Sequence, residues 1–239
     1  MTDIRCLAEV RLWQRQVGAI VELVDGRVVF EYAEAFRRSG PEISPIHLGL
    51  AVAGPVEFPE LVRLHGFAGL PGVFADSLPD SFGNAVIRAY YAARGEEARA
   101  MSPVQRLLYV GTRAIGALTY HPETDMAARP AEQESLEVAA LVRDARRIVE
   151  GDPDVAVPEI YRIGSSAGGM RPKAVVLYSR ERGTVRAGSL EPRADEARYI
   201  LKFDGVGDAL SRTSLKAPAP PRSPRRAPAC PPSRRRRDV

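Results

Sequence analysis

Apolar and polar residues alternate at 7–12, 17–23 and 28–32 of this chain. A period of two is the mark of strands with one buried face, so the first thirty residues predict a β-meander. Asp25-Gly26 separates the last two runs and predicts a tight hairpin turn with positive φ at both central positions. Residues 36–72 are rich in Pro and Gly and read as loop with short strands. Asp80 or Ser81 then caps a helix that Gly95 closes. Ser102-Pro103 opens a second helix ending near Gly111, and 116–121 reads as a strand. At 132–150 the period lengthens to that of an amphipathic helix, with Leu136, Ala139, Ala140, Val142 and Ile148 as its apolar face. After the loop Gly151-Asp152-Pro153-Asp154 come strands at 159–164, 172–179, 184–189 and 198–203. The fold class is α+β. A meander or small barrel-like unit with helices fills 1–125, and a second unit with antiparallel strands fills 126–208.

Residues 209–239 break the pattern. They hold seven Pro and eight Arg, and nothing aliphatic or aromatic larger than Val after Leu215. Such a stretch cannot bury enough apolar area to offset about 1–2 kcal/mol per residue of backbone ordering, so a disordered tail is expected. The tail also explains the charge. The whole chain is +4, but residues 1–208 carry 25 basic against 29 acidic side chains. The tail reads either as an electrostatic arm centred on Arg234 to Arg237, the one route to direct nucleic-acid contact, or as GC-rich codons translated out of frame. No apolar run is long enough to span a bilayer, and no signal-peptide pattern opens the chain. Cys6 and Cys230 have no metal or redox spacing, and a cytoplasmic location is the expectation.

The richest chemistry lies at Ser165-Ser166-Ala167-Gly168-Gly169, a loop of small residues that runs through Arg171 and Pro172 into a β-branched strand. Small residues let backbone N–H groups converge on an anion. The same composition suits a plain hairpin turn. No Gly-Lys-Ser/Thr follows, so this is not a Walker A loop. Lys202 sits inside a second apolar strand, either as a phosphate ligand or as a lysine reaching solvent. Lys173 and Arg171 are expected on a solvated face. Asp76 and Asp80 are spaced like paired carboxylates, but capping is the expected role of Asp80. His47, His65 and His121 are scattered, and no metal site is expected. Trp13 reads as core or interface, and of Tyr90 and Tyr91 one is expected inward and one outward.

Taken in order, several of these stretches resemble the HipA family of toxin serine/threonine kinases. Val10-Arg11-Leu12-Trp13 with Val17-Gly18 is similar to its N-terminal unit. The run from Gly69 through Leu78-Pro79-Asp80-Ser81 to Gly83 resembles its Leu-Pro-Asp motif, and Tyr109-Val110-Gly111-Thr112-Arg113 its next signature. The loop from Ser165 to Lys173 and Ile200-Leu201-Lys202-Phe203-Asp204-Gly205 complete the set. The resemblance implies a kinase-like N-lobe at 126–208 that binds ATP and Mg²⁺. It implies that Ser165, Ser166, Ala167, Gly168 and Gly169 cradle phosphate and that Lys202 holds it. Ser166 matches the serine that such kinases autophosphorylate. It further implies a DNA-binding antitoxin as partner and a protein substrate, often an aminoacyl-tRNA synthetase, with no membrane partner.

Phosphoryl transfer also needs an Asp to accept the hydroxyl proton and an Asn and a second Asp to hold magnesium. After Asp208 the sequence offers only Asp238, which sits in the tail. The expectation is therefore a chain truncated before the catalytic lobe and inactive alone, with 126–208 less stable than 4–125. The alternatives are a non-catalytic module that binds a partner kinase lobe or antitoxin, and nucleic-acid binding through the tail.

Overall fold

A computed structural model of the chain describes residues 3–64, 66–92, 101–113, 116–122, 135–152, 160, 163, 172–203 and the backbone of 214–216. The meander forms as the alternation predicts, with strands β1 (Ile4–Leu12), β2 (Arg15–Leu23) and β3 (Val28–Tyr32). With β4 (Val56–Glu57) and β5 (Leu118–His121) they make an antiparallel sheet of order β4-β3-β2-β1-β5. Gly18 has a packing reason. A Cβ there would stand 2.1 Å from the Glu31 carbonyl oxygen and 3.0 Å from the Phe30 ring, so a side chain would push β2 and β3 apart.

Three helices missing from, or shifted in, the sequence reading have physical causes. Helices α1 (Glu34–Ser39) and α2 (Gly72–Ala75) fall in the stretch read as loop. Helices this short are not stable by propensity. They hold because Phe36 and Phe74 are fully buried, with Phe74 4.8 Å from Phe30 ring to ring. Helix α3 (Ser81–Ala92) starts as expected, with Asp80 Oδ1 accepting the Gly83 N–H at 2.8 Å, while Gly95 lies outside the described residues. Helix α4 (Pro103–Val110) carries a full capping box between Ser102 and Gln105. Helix α5 (Val138–Glu150) begins later than 132. Leu136 precedes it outside the helix, its N–H donating to the Val185 carbonyl at 2.7 Å. The buried face of α5 is Leu141, Ala145 and Ile148, whereas Ala139 is exposed.

The second sheet has the order β7-β6-β8-β9, built from β6 (Lys173–Ser179), β7 (Thr184–Ala187), β8 (Glu196–Lys202) and β9 (Ser214–Lys216). The strand expected at 159–164 is replaced by helical backbone at Ile160 and Ile163, both buried. An i, i+3 spacing puts the two on one helical face. Strand β9 lies beyond residue 208, where the tail was expected to begin, and residues 217–239 fall outside the description.

Two apolar cores result. The first joins Ala8, Val10, Val17, Ile20 and Phe30 to Phe74, Val104 and Leu107. The second joins Val176, Val185, Leu201 and Phe203 to α5, and also takes Phe82, Val86 and Ile87 from α3. Helix α4 spans both, with Val104, Leu107 and Leu108 in the first and Tyr109 and Val110 in the second. At about 1.5–3 kcal/mol per fully buried large side chain, either core outweighs any single polar contact in the fold.

Candidate functional site

In the second sheet, directly paired residues share a face. Ala174 pairs with Leu201 and Val176 with Tyr199, and these residues join the core. The alternate positions therefore turn away from the core: Lys173 opposite Lys202, Val175 opposite Ile200, Leu177 opposite Arg198 and Arg186, and Ser179 opposite Glu196. This second face is basic and partly buried.

At one end the charge is neutralised. Arg186 Nη1 donates to Glu196 Oε2 at 2.7 Å, and the two side chains are only 4% and 1% exposed. Burial pushes the Glu196 carboxyl up. The Arg193 N–H and the Arg186 hydrogen bond and charge outweigh it, so the net shift is downward. Arg182 bridges Asp195 at 2.9 Å and Glu196 at 3.3 Å, and Ser179 Oγ donates to Asp195. Further along, Arg198 donates to the carbonyls of Gly188 and Leu190, which clamps the chain after β7 across Val175. Gly188 N–H donates to the Val175 carbonyl at 3.1 Å. A Cβ at Gly188 would lie 2.5 Å from Val175, so only glycine permits this approach.

At the other end stand Lys173 and Lys202. Phe203 N–H donates to the Pro172 carbonyl at 3.1 Å, which makes Pro172 and Phe203 the hydrogen-bonded pair. Lys173 and Lys202 are then the narrow pair of the ladder, where Cα atoms stand about 4.5 Å apart and side chains lie closest. Lys173 is 8% exposed, so it is not on the solvated face expected for it, and Lys202 is half-buried.

The sequence-expected residues divide accordingly. Lys202 is on this face. Ser165, Ser166, Ala167, Gly168, Gly169 and Arg171 lie outside the described residues, as do His65 and Cys230. Asp80 caps α3, and Asp76 ends α2. His121 shares a hydrogen bond with Thr119 Oγ1 at 3.0 Å, and His47 is exposed in a turn. Trp13 is not core: it is 77% exposed in the two-residue turn between β1 and β2. Tyr90 and Tyr91 are both half-buried, edge to face at 5.9 Å, rather than one in and one out. Among the described residues no three His, Cys, Asp or Glu side chains group to hold a metal ion, and no helix is long and apolar enough to cross a membrane. Sequence reasoning missed the Lys173–Lys202 pairing and the Arg186–Glu196 pair. A lysine at an alternate position of each of two apolar strands was the available signal, but register cannot be read from one sequence.

Residues 8–121 match the family model described as the HipA N-terminal domain. The match covers the first sheet and helices α1 to α4 and stops before the second sheet. No curated protein matches the chain.

Proposed function

We propose, from the match of residues 8–121 to the HipA N-terminal domain, that the chain is the N-terminal part of a HipA-type serine/threonine kinase toxin of a toxin–antitoxin module. The second sheet is its nucleotide-binding N-lobe. The observation that supports this best is Lys202, at the end of β8, facing away from the core and in register with the residue that receives the Ser165 to Gly169 loop. A strand lysine beside a loop of small residues is the arrangement that holds nucleotide phosphates in kinases. Lys202 supplies a compact ammonium charge with three donors, and the rigid ladder fixes where it points. By its sequence the Ser165 to Gly169 loop is the candidate phosphate loop of this reading, and Ser166 is the candidate for autophosphorylation.

ATP supplies the phosphoryl group, and Mg²⁺ serves to neutralise its charge. The described residues offer no group of three His, Cys, Asp or Glu side chains to hold that ion. The single Asn of the sequence, Asn84, donates through Nδ2 to the carbonyls of Pro79 and Asp80 and is spent on the start of α3. This favours a division of labour, in which these residues bind nucleotide and transfer needs a helical lobe supplied by other residues. A DNA-binding antitoxin and a protein substrate are the partners this reading carries.

The test is titration of the full chain with ATP, followed calorimetrically, beside the Lys202→Met variant. Loss of one charge-assisted phosphate contact should weaken binding about tenfold to a hundredfold. Equal affinity in the two proteins sinks the reading. With radiolabelled ATP the chain alone should incorporate no label at Ser166.

A further inference from the structure

The hairpin between β1 and β2 ends in a tip that packing does not explain. We propose that this tip binds single-stranded nucleic acid, with one base stacked on the Trp13 indole and the flanking phosphates held by Arg15 and Arg37. The site belongs to the first sheet and is independent of the nucleotide reading of the second.

Trp13 and Gln14 both have positive φ, at 47° and 70°. Glycine and asparagine adopt that region readily, whereas a bulky aromatic residue is strained there. Burial does not offset the strain, because Trp13 is 77% exposed. The turn gives up stability to hold the one Trp of the chain in solvent.

Positive charge stands beside the tip. Arg15 Nη1 donates to the Ser39 carbonyl at 3.0 Å, and Nη2 donates to the Ala35 carbonyl at 3.2 Å and to Ser39 Oγ at 2.5 Å. Its guanidinium also lies 5.1 Å from the Phe36 ring centroid. All of these partners are neutral, so Arg15 is fixed in place with its charge uncancelled. It ties the hairpin to the end of α1, whose last turn carries Arg37 and Arg38. Glu9 answers Arg11 at 2.6 Å and Glu34 answers Arg38. Arg15 and Arg37 remain as the net positive charge of this corner.

The surroundings decide the kind of partner. A protein interface builds an apolar core about its anchor residue. Along the hairpin Trp13 is followed by Gln14, Arg15 and Gln16, all polar and exposed. A duplex presents no free base face between its ends. An unpaired base needs only a stacking surface and cations for its phosphates.

Because Trp13 is the single Trp, its emission reports the contact directly. The full chain is titrated with a dye-labelled oligothymidylate of about fifteen nucleotides, with anisotropy following binding and Trp emission following stacking. Emission should fall saturably with the same midpoint as the anisotropy, and raised salt should move both midpoints to higher concentration. Trp13→Ala should bind about tenfold to a hundredfold more weakly while melting no lower than the parent. Trp13→Phe should retain most of the affinity, and Arg37→Ala should lose a few-fold. Anisotropy that rises while Trp emission stays constant would assign the contact to the basic tail and overturn the proposal. Absence of binding, or equal affinity in Trp13→Ala, overturns it too. So does equal quenching by polyglutamate, which would mark the tip as a surface for acidic proteins.

Discussion

On the first sheet the face turned from the core carries Leu7, Val21 and Val29 in one cross-strand row and Glu9, Ala19 and Glu31 in the next. On the second sheet the corresponding face carries Lys173, Lys202, Arg186 and Arg198. Charges on the first sheet are answered locally, by Arg11–Glu9 at 2.6 Å, Arg27–Glu57 at 2.9 Å and Arg5–Glu22 at 3.2 Å. Most of these side chains are well exposed, and such pairs contribute little. The second sheet buries one ion pair, Arg186–Glu196, almost completely and places Lys173 opposite Lys202 in its ladder. The difference is one of charge: the first sheet keeps most of its ion pairs at the surface, and the second buries one.

The largest expected effect strikes the scaffold. Phe74→Ala removes a ring buried against Phe30 and should cost about 4 kcal/mol, read by denaturant unfolding. Because the two cores meet on α4, the loss should also reduce the population able to bind nucleotide. Phosphate affinity unaffected at a temperature where the first sheet has melted would show that the sheets are independent.

Next comes Glu196→Ala, which strands Arg186 in a buried site and should cost about 3 kcal/mol. The same pair gives an acid limb to stability. The folded carboxyl is held below its unfolded value, so its contribution is present at neutral pH and is lost as pH falls through the acid range. The first sheet supplies the alkaline limb instead. Burial, with Glu42 nearby, pushes the Tyr32 phenol up to about 12, so its contribution is whole below the unfolded value near 10 and is lost as pH rises past it. Melting temperature against pH should therefore fall at both ends, with the acid fall reduced in Glu196→Ala and the remainder carried by Asp25 and Asp195, whose carboxyls are also held low. The smallest effect is Ser102→Ala at the capping box, about 1 kcal/mol, seen as a lower melting midpoint.

Strands β1 to β3 were legible because one-sided burial writes a period of two into the sequence, and α4 because Ser102-Pro103 and Gln105 spell its cap. Turns were less so. Asp25-Gly26 signals positive φ at both residues, yet only Gly26 adopts it, at 86°, in a turn closed by Gly26 N–H donating to the Leu23 carbonyl. The turn with both residues at positive φ is Trp13-Gln14, at 47° and 70°, where neither residue announces it. The strand pairing on either side imposes that geometry. Short helices α1 and α2 depend on Phe36 and Phe74 meeting partners far along the chain. The Lys202 strand was visible as an apolar run with one lysine, but its partner Lys173 required the register of β6 against β8. The family match supports the first half of the reading at residues 8–121 and is silent on the second sheet.

The most direct test of the contrast between the sheets is amide chemical-shift mapping of the isotope-labelled full chain with ATP. Shifts should cluster at the Lys173 end of β6 and the Lys202 end of β8, with Val21 and Val29 of the first sheet unmoved. Saturable shifts centred on the first sheet, or none on β6 and β8, would contradict the account.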